Sequence, residues 1–321
     1  MKSYKTFYGL GLLVISILLL ALTACGSDDE TEQDETNDTK NESDSITLDS
    51  EMGEFTVPSE IDRVIAPYHE DALLALGVTP VAKWAIGESI QDYLETDLQD
   101  IPPIEWNMPL EQVLQHEPDL IILEHNLDSY EGTYDDYNKI APTYVMKEET
   151  TTSWRNQLEV FGTLLGKETE AEEALANYED KVATASKELE EALNGETIAA
   201  IWATGDEFFL FEKDRHSMDV IYNELGVNVP SLVESLGEAE AQWNPISLEK
   251  LSELDADHVF LLAEEGEQGV DTLENSSVWK NTPAAQNDQV YIMEDPSNWT
   301  NKGVIASEKT IDAVLDVIGN E

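Results

Sequence analysis

One phrase occurs twice in this chain. Ile104-Glu105-Trp106-Asn107, followed by Leu110-Glu111, returns as Ala241-Gln242-Trp243-Asn244, followed by Leu248-Glu249. Eight residues after each Glu an Asp heads an apolar run, Asp119-Leu120-Ile121-Ile122-Leu123 in the first copy and Asp257-His258-Val259-Phe260-Leu261-Leu262 in the second. The copies lie too far apart for a solenoid, whose units recur every ~20 to 50 residues. Such a separation implies two related lobes.

The amino terminus is set aside first. Lys2 and Lys5 precede an apolar stretch from Gly9 to Leu22, too short for a good spanning helix but suited to the core of a secretory signal. It ends in Leu22-Thr23-Ala24-Cys25, which resembles a bacterial lipoprotein signal, so residues 1–24 are expected to be removed and Cys25 to carry lipid. Two or more acyl chains on one residue, palmitate among them, make membrane attachment stable. Residues 25–45 are rich in Asp, Glu, Asn, Ser and Thr, with hardly an apolar side chain, and read as a disordered acidic tether. With Cys25 the only cysteine, the exported body has no internal disulfide and no thiolate ligand or nucleophile.

The net charge of −51, from 17 basic and 68 acidic residues, argues against nucleic acid as a partner, because a phosphate backbone needs a basic patch. It does not dictate ligand sign, since charges beyond a Debye length of about 8–10 Å are screened. The acidity fits a solvated surface in a saline or alkaline habitat.

Beyond the tether, Ile46-Thr47-Leu48 and Glu54-Phe55-Thr56-Val57 read as a hairpin. Strands are expected at Arg63–Ala66, Pro80–Trp84, Leu120–Leu123 and Tyr144–Met146, with helices at Asp71–Leu76 and Leu110–His116. This alternation predicts an α/β fold with a parallel sheet. From Ser153, an expected N-cap, Trp154, Leu158, Phe161 and Leu165 recur at helical spacing, and the periodicity resumes from Ala174 to Leu193. The Ser153–Leu165 segment would span roughly 20 Å, enough to cross between lobes or to cover one sheet. Strands at Ile198–Trp202, Phe208–Phe211 and Val290–Met293, and helices at Met218–Leu225 and Val304–Ile318, complete the body.

Catalytic signatures are missing. There is no GxSxG elbow and no HExxH, and Gly162-Thr163-Leu164-Leu165-Gly166-Lys167-Glu168 is one residue short of a P-loop, with Glu where Ser or Thr must reach magnesium. His69, His116, His125, His216 and His258 lack the close spacing of a metal site. An enzyme is therefore the weaker class. Trp84, Trp106, Trp243 and Trp299 stand at strand ends or in loops, where α/β sheets collect ligands, although core packing would explain any one of them. Glu111 and Glu249, near the starts of helices, suit either first-turn stabilisation or docking of paired carboxylates on the arginines of a two-fold partner.

Together, the lipoprotein signal, the tether, two α/β lobes that each carry Trp-Asn then Leu-Glu before an Asp-headed strand, and the helix opening Ser153-Trp154-Arg155-Asn156-Gln157-Leu158 resemble the substrate-binding proteins of bacterial iron-siderophore ABC importers, of the ferric hydroxamate type. Pro118-Asp119-Leu120-Ile121-Ile122 and Ile246-Ser247-Leu248-Glu249-Lys250-Leu251 carry the likeness most specifically. The resemblance implies a class III periplasmic-binding-protein fold: two Rossmann-like lobes with parallel central sheets, at residues 46–150 and 171–321, joined by one long helix within 151–170, with the ligand cleft between them. It implies capture of a ferric siderophore by a monomer anchored outside the cell membrane, and delivery to a two-fold ABC permease through Glu111 and Glu249. Tyr68, Trp84, Trp106, Arg215, Trp243 and Trp299 are the ligand-binding residues it implies. The siderophore would supply all the oxygen ligands, so the iron is not coordinated by protein and no cofactor is expected. Cobalamin or haem binders share this fold, and for haem Tyr68 and His69 could serve as axial ligands. A lipid-anchored surface hydrolase is the alternative of another class.

Overall fold

The computed structural model describes residues 46–87 and 91–319. Cys25, the expected signal and the expected tether lie outside the described residues. Among the described residues, no helix is long and apolar enough to cross a membrane.

The body opens with an antiparallel hairpin, β1 (Thr47–Ser50) and β2 (Gly53–Thr56). The first sheet follows: β3 (Val64–Ile65), β4 (Lys83–Ala85), β5 (Pro103–Glu105), β6 (Leu120–Leu123) and β7 (Thr143–Val145). β6 runs parallel between β3 and β7, and β4 pairs in parallel with β5; the Val81 amide donates to the Val64 carbonyl at 3.0 Å and joins the two groups. Because β6 is buried on both faces, its residues alternate between two cores. Leu120 and Ile122 face the helical core, whereas Ile121 and Leu123 pack with Ile104, Val113 and Tyr137.

The second sheet contains β8 (Ile198–Thr204), β9 (Glu207–Leu210), β10 (His258–Leu262) and β11 (Val290–Met293), in the order β11-β10-β8-β9. β11, β10 and β8 are parallel, and β9 returns antiparallel at the edge. Two α/β lobes are thus each built on a largely parallel sheet.

The repeated Asp has a structural role in each lobe. Asp119 accepts the amides of Asp62 and Arg63 at 2.9 Å, and Asp257 accepts the amide and hydroxyl of Thr197, both at 2.9 Å. Each carboxylate therefore satisfies orphan donors at the amino end of the first strand of its lobe's parallel sheet, β3 or β8. This fastens that strand to the one the Asp itself heads.

Segment 151–170, expected as one connecting helix, is divided. Ser153 caps the Trp154–Leu165 helix by accepting the Asn156 amide, and Gly166 ends it with φ 63°, a left-handed conformation that costs glycine little. The long helix is the next one, Glu168–Leu193, at 26 residues. It buries Ala171, Tyr178, Ala185, Leu189 and Leu193 along one stripe, in a core shared with Ile122 of the first sheet and Val259 and Leu261 of the second. The expected Met218–Leu225 helix is one α-turn, Ser217–Asp219, that widens into a π-helical segment, Val220–Glu224. The closing helix spans Val304–Ile318, as expected.

Candidate ligand site

The carboxyl ends of β3, β4 and β5 carry the first cluster. Tyr68, in the turn after β3, meets Trp84 of β4 edge-to-face at 5.1 Å. The indole N–H of Trp84 donates to the Trp106 carbonyl at 3.3 Å, while the Trp106 side chain itself is 45% exposed. Two buried supports hold this group. Glu70 accepts the Trp84 amide at 2.7 Å, and the Gln91 amide donates to the Tyr68 carbonyl at 3.2 Å. Burial pushes the Glu70 carboxyl up to about 8, against the opposing amide hydrogen bonds, and pushes the Tyr68 phenol up to about 12 with help from Glu124 and Glu70.

Next to Tyr68, His69 bridges Gln157 and Glu124, each at 3.2 Å. For Glu124 burial works against the charge, but the hydrogen bond from His69 and the charges of His69 and His125 outweigh it and hold the carboxyl below its usual range.

The second cluster belongs to the other lobe. Trp243 meets Trp202 of β8 at 5.3 Å, Phe211 at 4.8 Å and Phe209 of β9 at 6.0 Å, and stacks on His216 at 5.7 Å. The Arg215 guanidinium lies 4.3 Å from the Trp243 ring centroid, a cation–π contact. Arg215 is only 4% exposed: Glu212 holds it in a two-point ion pair, and it also donates to the carbonyls of Glu240 at 2.9 Å and Gln242 at 3.3 Å. His216 is pushed down to about 3 by burial, with Lys302 and Arg215 adding to the effect, so its ring is neutral at physiological pH.

Both clusters contain a bulky residue in the left-handed region, Tyr68 at φ 70° and His216 at φ 44°. Such backbones cost of order 1–3 kcal/mol each and persist where the surroundings over-determine them. Here the carbonyl of Tyr68 and the ring of His216 are both held, by Gln91 and Trp243.

A polar cavity of ≈ 140 Å³ opens where Ser153 and Trp154 approach His216, Ser217, Asn298 and Lys302. His216 Nδ1 and Ser217 Oγ are buried there without a hydrogen-bond partner. Polar walls and this volume suit several waters or one polar group of a ligand.

Not every expected site residue takes part. Trp299, expected in the ligand site, is 0% exposed and packs against Phe260 of β10 at 5.1 Å; it belongs to the core, and its indole offers a ligand no surface. Trp202 and His216 escaped the sequence reading, Trp202 because it sits inside a strand and His216 because an isolated histidine carries no signal. Glu111 and Glu249 are exposed in the first turns of the Leu110–Gln115 and Leu248–Leu251 helices. Among the described residues, no group of three or more His, Cys, Asp or Glu is placed to hold a metal ion.

Comparison with known proteins agrees with the two-lobe α/β fold. The family model described as periplasmic binding protein matches residues 67–296. The iron(3+)-hydroxamate-binding protein YxeB of Bacillus subtilis (strain 168) is 25% identical over 98% of this chain and 97% of its own length. The Fe(3+)-citrate-binding protein YfmC of the same organism is 29% identical over 99% of this chain and 100% of its own. Among solved structures, a FhuD fold-family periplasmic binding protein component of a Fep/Fec-like ferrichrome ABC transporter from B. subtilis superposes with a TM-score of 0.69, at 25% identity over 85% of this chain and 100% of that one. This chain is a member of the periplasmic binding protein family.

Proposed function

We propose that this protein captures a ferric siderophore outside the cell, between the Tyr68–Trp84 and Trp202–Trp243 clusters, and delivers it to an ABC permease. The observation that carries this reading is the pair of aromatic clusters, one from each lobe, in a chain whose relatives are described as binding ferric hydroxamate and ferric citrate. Rigid indole faces bury a bulky organic shell at little entropic cost. Tyr68, Trp84, Trp106, Arg215 and Trp243 are retained as ligand-site residues, with Arg215 positioning Trp243. The siderophore brings its own oxygen donors, which suits a site without a metal-binding cluster.

The same proposal makes the protein a monomer anchored through a lipid on Cys25, divides its body into lobes at 46–150 and 171–321, and assigns Glu111 and Glu249 to the permease. Haem is disfavoured as the ligand, because both ring nitrogens of His69 are engaged and burial holds the Tyr68 phenol far from ionisation. The test is quenching of intrinsic fluorescence by a panel of ferric siderophores, with chromatography of the released ligand. Stoichiometric quenching and unaltered chelate are expected; turnover, or indifference to every ferric complex, would refute the reading.

A further inference from the structure

The polar cavity beside the second cluster gathers hydrogen-bond donors that the chain itself does not use. Ser153, Trp154 and Arg155 line it at the start of the Trp154–Leu165 helix, and His216, Ser217 and Lys302 line it as well. The Ser153 hydroxyl accepts the Asn156 amide, so the Trp154 and Arg155 amides of the first turn have no intrahelical acceptor and carry the positive end of the helix dipole. Ser217 is 3% exposed and its hydroxyl has no hydrogen-bond partner, and His216 Nδ1 is buried without one. Buried polar atoms are normally paired, so two of them on one cavity mark where a partner from outside the chain binds.

The charges on the walls select the sign of that partner. Arg155 is forked onto Glu224, at 3.2 and 2.7 Å, and the two cancel. Lys302 is exposed and has no ion pair among the described residues, and its charge reaches His216, where it helps to keep the ring neutral. Asp219 lines the cavity too, with one oxygen accepting the Asn223 side-chain amide at 2.6 Å. An ammonium, a hydroxyl and a helix amino terminus together favour an oxyanion, while Asp219 and Glu224 oppose more than one negative charge.

We propose that this cavity binds one small monovalent oxyanion, a carboxylate, held by Lys302, the Ser217 hydroxyl and the amino terminus of the Trp154–Leu165 helix. The anion also meets His216 Nδ1 and selects the ring tautomer that carries its proton there. Because the His216 ring stacks on Trp243 at 5.7 Å, the bound carboxylate braces one wall of the proposed chelate site. Only this bracing rests on the ferric-chelate reading; the anion site stands without it.

Thermal unfolding of the purified protein tests the site, with sodium acetate replacing sodium chloride at constant sodium. Acetate should raise Tm saturably, by about 3 °C or more at tenfold above its Kd. Lys302→Gln, a surface change, and Ser217→Ala, which removes an unpartnered hydroxyl, should each abolish that saturable rise and leave only the general, linear effect of the salt. In parallel, the nitrogen resonances of the His216 ring should move toward the Nδ1–H tautomer in the parent and stay unmoved in Lys302→Gln. An equal rise in parent and variants, or a ring indifferent to acetate, means that the cavity holds water only and overturns the proposal. If Ser217→Ala does not fold, Lys302→Gln and the ring resonances decide. Ferric citrate then identifies the source of the carboxylate: Tm shifts that add to those of acetate assign the site to a separate small anion, and shifts that do not add assign it to a group pendant on the chelate.

Discussion

Asp71 occupies the space that a side chain on Gly303 would need. Its carboxylate accepts the amides of Ile305 at 3.1 Å and Ala306 at 3.0 Å, and so caps the Val304–Ile318 helix from the Glu70–Ala75 helix, more than two hundred residues earlier in the chain. Tyr93 donates its hydroxyl to the same carboxylate at 3.0 Å and its amide to Ser297 Oγ at 2.9 Å. A Cβ at Gly303 would fall against Cγ and both oxygens of Asp71. The backbone of Gly303 is extended, so the penalty there is steric. Gly303→Ala should therefore displace the cap and cost about 2–4 kcal/mol in urea unfolding, in the range of a lost buried charged hydrogen-bond network. Unchanged stability would mean that the two helices part freely.

Two buried acids give the fold a pH dependence of defined sign. Burial pushes Glu70 up to about 8 from an ordinary 4.5, and Asp71 up to about 6 from 3.8. At pH below the ordinary values both are protonated in either state, and the native state has its full advantage. As pH rises the unfolded chain ionises first, so the contribution of each group falls and is lost as its raised value is passed. Glu70→Gln keeps an oxygen for the Trp84 amide and removes this slope. Between about pH 5 and pH 8 the variant should gain on the parent by about 1 kcal/mol or more in unfolding free energy. A constant difference would place the Glu70 titration elsewhere.

The tryptophans separate into two kinds by what their loss removes. Trp84 and Trp243 form walls of the proposed site, so Trp84→Ala or Trp243→Ala should weaken ferric chelate binding about tenfold, read by titration calorimetry. Trp299 lies wholly within the core against Phe260, and Trp299→Ala should instead cost about 3–5 kcal/mol of stability while sparing the affinity of the folded fraction.

That distinction marks the limit of the sequence reading. Periodicity and caps located the Val304–Ile318 helix, the Ser153 cap and the four-residue run of β6, because each depends on local spacing. The repeated Asp was visible as a pattern, but its task, holding the amides at the start of β3 or β8, joins residues 56 to 60 positions apart. Trp299 and Trp243 both read as loop indoles; only the packing of β10 against one and the Arg215–His216 pair over the other separates the core indole from the one assigned to the proposed site. Arg215 read as a ligand contact or a surface ion pair; that it is buried and forked onto Glu212 depends on packing that nothing local shows. The break at Gly166 was obscured by apolar periodicity on either side of it.

Glu111 and Glu249 provide the sharpest test of delivery as distinct from capture. Both are exposed in the first turn of short helices at corresponding points of the repeat, one in each lobe. In the first turn an acid stabilises its helix by about 0.3–1 kcal/mol through the dipole, so removing both should leave the fold nearly as stable. If they dock on permease arginines, each also supplies a charge-assisted fork whose loss falls on complex formation alone. The Glu111→Ala, Glu249→Ala double variant is therefore expected to bind ferric chelate with unaltered affinity and to abolish radioiron uptake by cells that carry it. Each single variant should retain partial uptake, because a two-fold partner still holds one lobe. An equal loss of affinity in the double variant would move both residues from the docking face into the ligand site, and normal uptake would leave them with no task beyond their helices.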